Sequence, residues 1–362
     1  MTGSPVIALT AGGTGGHLFP AEALAAELKD RGTTVHLITD ARGREYASVF
    51  EGDAIHVVQS ETLRRKSIGG MFAMIRTIIG GVGESRQILR TVGANSLVAF
   101  GGYPTVPPGF AAASLKLPLI LHEQNAVIGR ANRMLASRAS KIATCFDSVS
   151  KLNAPTKVTV TGNPVRPSVL DARTPYDVPT TEGPLKLLVF GGSQGARFFS
   201  DAMPDILAKL PENVRSRLVL TQQCRPEDMA RVERAYADLG ISADLSPFFT
   251  DLPQRLSASH LIIGRAGAST VSELAVLGRP SILIPLPGSL DQDQMANAKR
   301  LETAGGAIAV PQVDFTPEFA AKTIADLFEA PDRLAAMADG ALSAGKPDAV
   351  QALADLVMAH AI

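Results

Sequence analysis

The sequence predicts an α/β protein made of two Rossmann-like, doubly wound domains that face one another across a cleft. Three observations carry that expectation. Short aliphatic runs alternate with helical patterns, the alternation starts afresh near residue 185, and each series opens with a strand running into a glycine-rich turn. At 362 residues the chain also exceeds what one hydrophobic core usually holds.

The first series begins with the strand "VIAL" (6–9), which leads into "ALTAGGTGGHLFP" (8–20). Gly12, Gly13, Gly15 and Gly16 lack a Cβ, so backbone N–H groups there can approach an anion at the positive end of the following helix. Pro20 suits the first turn of that helix, expected near 20–31. The turn is not a Walker A loop, since no lysine precedes Lys29. Nor is it a full dinucleotide fingerprint, because Gly13 and Gly15 are followed by Leu18 where the third glycine belongs. Further strands are expected at 34–39, 96–100, 118–122, 141–145 and 157–162. Next, "DARTPYDVPTTEGP" (171–184) reads as a linker. The second series opens with "LKLLVFGGSQGARFF" (185–199), and strands follow at 217–221, 260–264 and 281–286. Sheets of this kind hold ligands at the carboxyl ends of their strands.

Several strand ends carry chemistry. In "GRAGASTVSELAVLGRP" (264–280), Ala266, Gly267, Ala268 and Ser269 lead into a helix expected near Thr270. The N–H groups and hydroxyls there can hold a phosphate, and Glu273, about a turn further on, can accept hydrogen bonds from both hydroxyls of a ribose. As structure alone, Ser269 is an N-cap and Glu273 a solvated charge. "PGSLDQDQMANA" (287–298) gathers Asp291, Gln292, Asp293, Gln294 and Asn297, a set suited to sugar hydroxyls or to a capped polar loop. "LHEQN" (121–125) puts His122, Glu123, Gln124 and Asn125 at a strand end, and Arg166 in "TGNPVRP" (161–167) is a phosphate partner or a hinge arginine.

Thirty-five basic and 35 acidic residues cancel, yet residues 1–160 hold 17 Lys and Arg against 11 Asp and Glu. The first half therefore faces anionic material, and a neutral chain gives no ground for a nucleic-acid partner. Cys145 and Cys224 are too few for a disulfide framework and match no metal spacing, which favours a reducing compartment. No signal peptide and no membrane span is expected. Within 63–90, Phe72, Ile75 and Ile79 stand among Arg64, Arg65, Lys66 and further arginines. That segment is either a buried helix with snorkelling ends or a greasy patch that binds an anionic membrane surface.

"GGTGGH", "GGYP", "HEQN", "GNPVR", "GGSQGA", "RAGASTVSE" and "DQDQMANA", in this order and spacing, resemble the MurG family of bacterial peptidoglycan glycosyltransferases over nearly the whole chain. The resemblance implies a GT-B fold. Residues 1–162, with a C-terminal helix (345–362) crossing back, would take the acceptor and face the membrane, and 163–344 would bind UDP-GlcNAc. It implies inverting transfer of GlcNAc to the C4 hydroxyl of MurNAc in lipid I, giving lipid II, at the cytoplasmic face of the cell membrane and without a cofactor.

By the same resemblance, Phe249 meets the uracil through its backbone and Glu273 the ribose. Ser193, Arg166 and the turn of Ala268, Ser269 and Thr270, with Val271 and Ser272 behind it, take the pyrophosphate. Gln294, Asn297 and Asn125 read the GlcNAc, and Thr14, Gly15 and Gly16 complete the donor set. Gly13, Gly102, Tyr103 and His122 fall to the acceptor, with His17 as the general base and Glu123 as the second choice. Asp293 stands where many relatives carry Gln or His, and it receives no role. No Asp-x-Asp lies on an obvious strand end, so no metal is expected and the charge on departing UDP falls to helix N-termini, hydroxyls and Arg166. Other classes remain open at this point: a UDP-GlcNAc 2-epimerase of the same fold, a nicotinamide oxidoreductase, or a non-catalytic nucleotide-sugar-binding protein.

Overall fold

The computed structural model describes residues 4–12, 15–46, 50, 54–58, 68–192 and 195–361. The chain forms two compact units, one of residues 1–166 with 346–362 and one of residues 167–345.

Unit 1 runs β1 (Val6–Thr10), α1 (Gly15–Asp30), β2 (Thr34–Thr39), α2 (Ala41–Tyr46), β3 (Ile55–Val57), α3 (Ile68–Thr91), β4 (Ser96–Ala99), α4 (Val106–Ser114), β5 (Leu119–Glu123), α5 (Arg130–Leu135), β6 (Lys141–Thr144) and β7 (Val158–Val160). Its strands form one parallel sheet in the order β3-β2-β1-β4-β5-β6-β7. Alternate residues of β1 face opposite layers. Ile7 and Leu9 pack with Leu18, Leu24 and Leu28 of α1, whereas Ala8 joins Leu97, Leu119 and Leu135 on the other side.

Unit 2 runs α6 (Pro167–Asp171), β8 (Leu185–Phe190), α7 (Arg197–Ala208), α8 (Glu212–Arg215), β9 (Leu218–Gln223), α9 (Met229–Asp238), β10 (Ala243–Ser246), α10 (Leu252–Ala258), β11 (Leu261–Gly264), α11 (Ala268–Leu277), β12 (Ser281–Leu283), α12 (Asp293–Thr303), β13 (Ala307–Ala309), α13 (Pro317–Phe328) and α14 (Pro331–Ala344). Its sheet is also parallel, in the order β10-β9-β8-β11-β12-β13. The last helix, α15 (Ala349–Met358), belongs to unit 1, where Leu353, Ala354 and Val357 lie against Leu24 and Leu28 and Asp355 pairs with Arg31. Gly162, at φ +85°, lets the chain pass the start of this helix, since a Cβ there would fall 2.8 Å from the Lys346 Cβ.

Every strand expected from the sequence is present. β3, β10 and β13 went unseen because each is an edge strand of three or four residues, half exposed and too short to show a period. The first helix starts at Gly15, five residues before the expected position, so Pro20 lies inside it. The stretch 171–184 is not a free linker. The buried Arg279 guanidinium donates to the Thr174 carbonyl and hydroxyl, both at 3.0 Å, and the Tyr176 hydroxyl donates to the His260 carbonyl.

In each sheet the strand order reverses at one place, between β1 and β4 and between β8 and β11. At the first reversal the loops after β1 and β4 meet backbone to backbone. Gly12 N–H donates to the Gly101 carbonyl at 3.0 Å, and a Cβ on Gly102 would lie 2.9 Å from the Gly12 Cα. Gly102 also holds φ +83°. Gly102→Ala should therefore lower the unfolding free energy by about 1–3 kcal/mol, read from the urea midpoint. Gly93→Ala, at φ +66° but with open space around it, should cost less, and the difference measures the collision itself.

Candidate functional site

His17 lies in the first turn of α1, directly after the first glycine turn. Its imidazole covers the paired loops: Cβ atoms on Gly12, Gly101 and Gly102 would meet the ring at 3.5, 3.2 and 3.4 Å. Nδ1 is buried with no hydrogen-bond partner among the described residues. Burial lowers the pKa of the ring, while the Phe100 carbonyl and the Gln124 side chain pull the other way. At neutral pH the ring is therefore uncharged and able to accept a proton.

The HEQN residues divide between support and surface. Glu123, 1% exposed, accepts through Oε1 from the Asn125 backbone at 3.0 Å and the Asn125 amide at 3.3 Å, and through Oε2 from Gly129 N–H and Asn132 Nδ2, both at 2.9 Å. Burial raises its pKa and the four donors oppose the rise. Gln124 donates to the Phe100 carbonyl at 2.7 Å, tying this loop to the one after β4. His122 is fully buried; its Nε2 donates to the Gly162 carbonyl at 3.0 Å, and burial brings its pKa down to about 4. Gly102 and Tyr103 are half-buried beside the His17 ring and in the turn that follows.

Two members of this half have no counterpart in the sequence reading. Asn132 donates to both the His122 carbonyl and Glu123, and only its place on α5 brings it there. Glu22 is buried on α1, and burial pushes its pKa up to about 7 against the opposing pull of Arg166. Arg166 itself stacks on Phe19, 4.6 Å from the ring centre. The signal for Glu22 was available: it shares the i, i+3 face of α1 with Phe19.

In unit 2 the helix expected near Thr270 starts at Ala268, with Gly267 as its N-cap, so Ser269 is not the cap. Gly267 offers no capping side chain, and the Ser269 Oγ is buried without a partner among the described residues. Ser272 donates to the Ala268 carbonyl, and Glu273 is 5% exposed on the same helix. Asn297, fully buried, donates to the Ala266 carbonyl at 3.2 Å. Gln294 accepts from Leu286 N–H at 2.9 Å, which closes the 286–294 loop. In that loop Asp291 and Gln292 both hold positive φ, and burial raises the pKa of Asp293.

Gln223 was not foreseen: it accepts from Gly191 N–H in the loop after β8 and donates to the Pro247 carbonyl. It thus links the second glycine loop to the segment of Phe249, whose ring carries Arg255 at 4.4 Å. Gly13, Thr14, Ser193, Arg64, Arg65 and Lys66 lie outside the described residues, as do the side chains of Phe72 and Ile75; Ile79 is exposed on α3. Among the described residues no three His, Cys, Asp or Glu side chains gather as a metal site would require.

Glycosyltransferase family 28 models match both halves, the N-terminal domain model over residues 7–144 and the C-terminal domain model over residues 186–353. The UDP-N-acetylglucosamine–N-acetylmuramyl-(pentapeptide) pyrophosphoryl-undecaprenol N-acetylglucosamine transferase of Mesorhizobium japonicum is 53% identical, over 98% of this chain and 95% of that one. The crystal structure of Acinetobacter baumannii MurG superposes with a TM-score of 0.78 at 29% identity, covering 98% of this chain and 99% of the other. A putative UDP-N-acetylglucosamine 2-epimerase from Listeria monocytogenes shares the fold at 15% identity, with a TM-score of 0.69 and coverage of 99% and 96%.

Glu123→Gln exchanges one carboxylate oxygen, which accepts two hydrogen bonds, for an NH2 group that faces N–H donors. It should cost about 1–3 kcal/mol of stability in chemical denaturation.

Proposed function

The chain belongs to glycosyltransferase family 28, and within it to the MurG enzymes, and we infer that it transfers N-acetylglucosamine from UDP-GlcNAc to the MurNAc of lipid I, giving lipid II. The observation that carries this reading is the match, at 53% identity along 98% of the chain, to the enzyme of that name. The 2-epimerase alternative rests on fold alone, at 15% identity. Radiolabelled UDP-GlcNAc with a lipid I analogue tests the function. We expect a labelled lipid II product, undiminished by chelator; UDP-ManNAc formed without acceptor would point to the epimerase.

In our reading, the acceptor's C4 hydroxyl gives its proton to His17 as its oxygen displaces UDP from the anomeric carbon with inversion. His17 rather than Glu123 suits the part, because both Glu123 oxygens are engaged by protein donors while His17 Nδ1 has no partner among the described residues. A neutral base of this kind contributes roughly 10²- to 10⁴-fold in rate. The donor's phosphates fall to the N-terminus of α11, where free backbone N–H groups and the Ser269 hydroxyl meet the charge that grows on the leaving group. Glu273 takes the ribose.

The acceptor's polyprenyl chain requires contact with a membrane, and no described helix is long and apolar enough to cross one. We assign that contact to the anionic cytoplasmic leaflet, through the segment 63–90, which includes the exposed Ile79.

His17→Ala should lower kcat by roughly 10²- to 10⁴-fold while donor affinity, measured by calorimetry, stays near that of the parent. In the parent, kcat should fall on the acid side with a midpoint below 6.5, the direction in which burial moves this ring. The variant's residual activity should lack that limb; a retained limb would assign it elsewhere. Glu273→Ala should weaken donor binding by about 2–3 kcal/mol, and an unchanged calorimetric Kd would remove Glu273 from the ribose site.

A further inference from the structure

Arg166 closes the first segment of unit 1, and its guanidinium lies over Phe19, 4.6 Å from the ring centre. The same ring packs on the start of α1, where a Cβ on Gly15 would fall 3.0 Å from it. Phe19 therefore joins Arg166 to the end of the first glycine turn. Glu22 stands three residues beyond Phe19 and so on the same face of α1. It is 9% exposed, and its Oε1 has no hydrogen-bond partner among the described residues.

A carboxyl placed in this way meets two opposing demands. Burial disfavours the carboxylate, because the interior solvates charge poorly, whereas the cation of Arg166 favours it. The balance brings its pKa up to about 7, with burial the larger influence and Arg166 opposing it. Other ionisable groups on the elements packed against α1 are engaged elsewhere. Asp355 of α15 pairs with Arg31, Arg42 of α2 with Asp40, and His36 of β2 lies against His56, while β1 carries none. Glu22 thus answers to Arg166, and a change of charge at Arg166 must change the proton at Glu22. A pyrophosphate diester brings two negative charges that do not titrate near neutrality.

We propose that Glu22 is a positioning residue for Arg166, and that it exchanges a proton with solvent when Arg166 gains a pyrophosphate group. Before substrate binds, the carboxylate draws the guanidinium against Phe19. Once a pyrophosphate joins Arg166, its charge cancels the pull on Glu22, and the carboxylate takes one proton from solvent to form an O–H bond. Departure of the pyrophosphate returns that proton. The inference rests on the reading of Arg166 as a partner of a substrate pyrophosphate.

Calorimetric titration of the full chain with UDP-GlcNAc, in buffers of different ionisation enthalpy, counts the protons. Uptake in the parent should rise from about half a proton at pH 7 towards one at pH 8, and Glu22→Gln should show none. Between pH 6.5 and 8.5 the parent's affinity should fall roughly fivefold or more while that of Glu22→Gln stays level. His17→Ala should keep the uptake, which separates Glu22 from the other ionisable group at the turn. A lipid I analogue with a short, water-soluble chain, titrated in the same way, shows which substrate's pyrophosphate meets Arg166, and uptake with either supports the role of Glu22. Binding of both without uptake, or uptake retained in Glu22→Gln, would overturn the proposal. UDP-GlcNAc that does not bind would overturn the donor reading instead, and the pair is then read without substrate. With glutamate carboxyls labelled with carbon-13, and the Glu22 signal identified by its loss in Glu22→Gln, Arg166→Gln should move the Glu22 midpoint to higher pH. An unmoved midpoint would overturn the proposal.

Discussion

The contact on which unit 1 depends is one of backbone with backbone, where the loops after β1 and β4 lie together with no side chain between them. The Gly12 to Gly101 hydrogen bond joins them, and Gly102 follows at a φ that L-residues rarely adopt. Only then can the His17 ring lie against both loops, and only then does the Phe100 carbonyl come within reach of Gln124. A side chain at any of these glycines would meet the neighbouring backbone or the imidazole. The sheet reversal brings the two loops to the same edge, and the glycines decide how near they come.

Around that contact, long polar side chains do what regular hydrogen-bonding ladders cannot. Irregular loops leave N–H and C=O groups unpaired, and burying them without partners is costly. Glu123 accepts four hydrogen bonds that close the turn from Asn125 to Asn132. In unit 2, Arg265 donates to the carbonyls of Ile284 and Pro285 and to Gln312, and Arg279 binds the carbonyls of Ser257, Leu277 and Thr174. These three charged residues are therefore framework, each matched to several backbone groups.

The groups proposed for chemistry stand in the first turns of helices that follow a strand end. Among the described residues, His17 keeps a buried nitrogen without a partner, and Ser269 keeps a buried hydroxyl at a helix start with no side-chain cap. Burial holds His17 neutral, the form a base requires, while the aligned peptides of α11 present positive potential where negative charge would collect. His122, the first residue of the HEQN run, shows the contrast in burial: its Nε2 donates to a carbonyl and its ring is sealed from solvent.

The order of strands and helices, the two glycine turns and the motif set were legible in the sequence, because parallel strands buried on both faces appear as aliphatic runs and because loops that admit no Cβ must be written in glycine. His17, Glu273 and Gln294 could be singled out on that basis. The sequence could not separate Glu123 from His17 by role, since the four donors to that carboxylate come together only when α5 packs beside β5. Nor could it show that 171–184 is pinned by Arg279, that Glu22 is buried near Arg166, or that edge strands of three or four residues complete the sheets. These depend on partners distant along the chain, whose burial and hydrogen bonds exist only in the folded state, whereas helix, strand and turn signals are written in neighbouring residues.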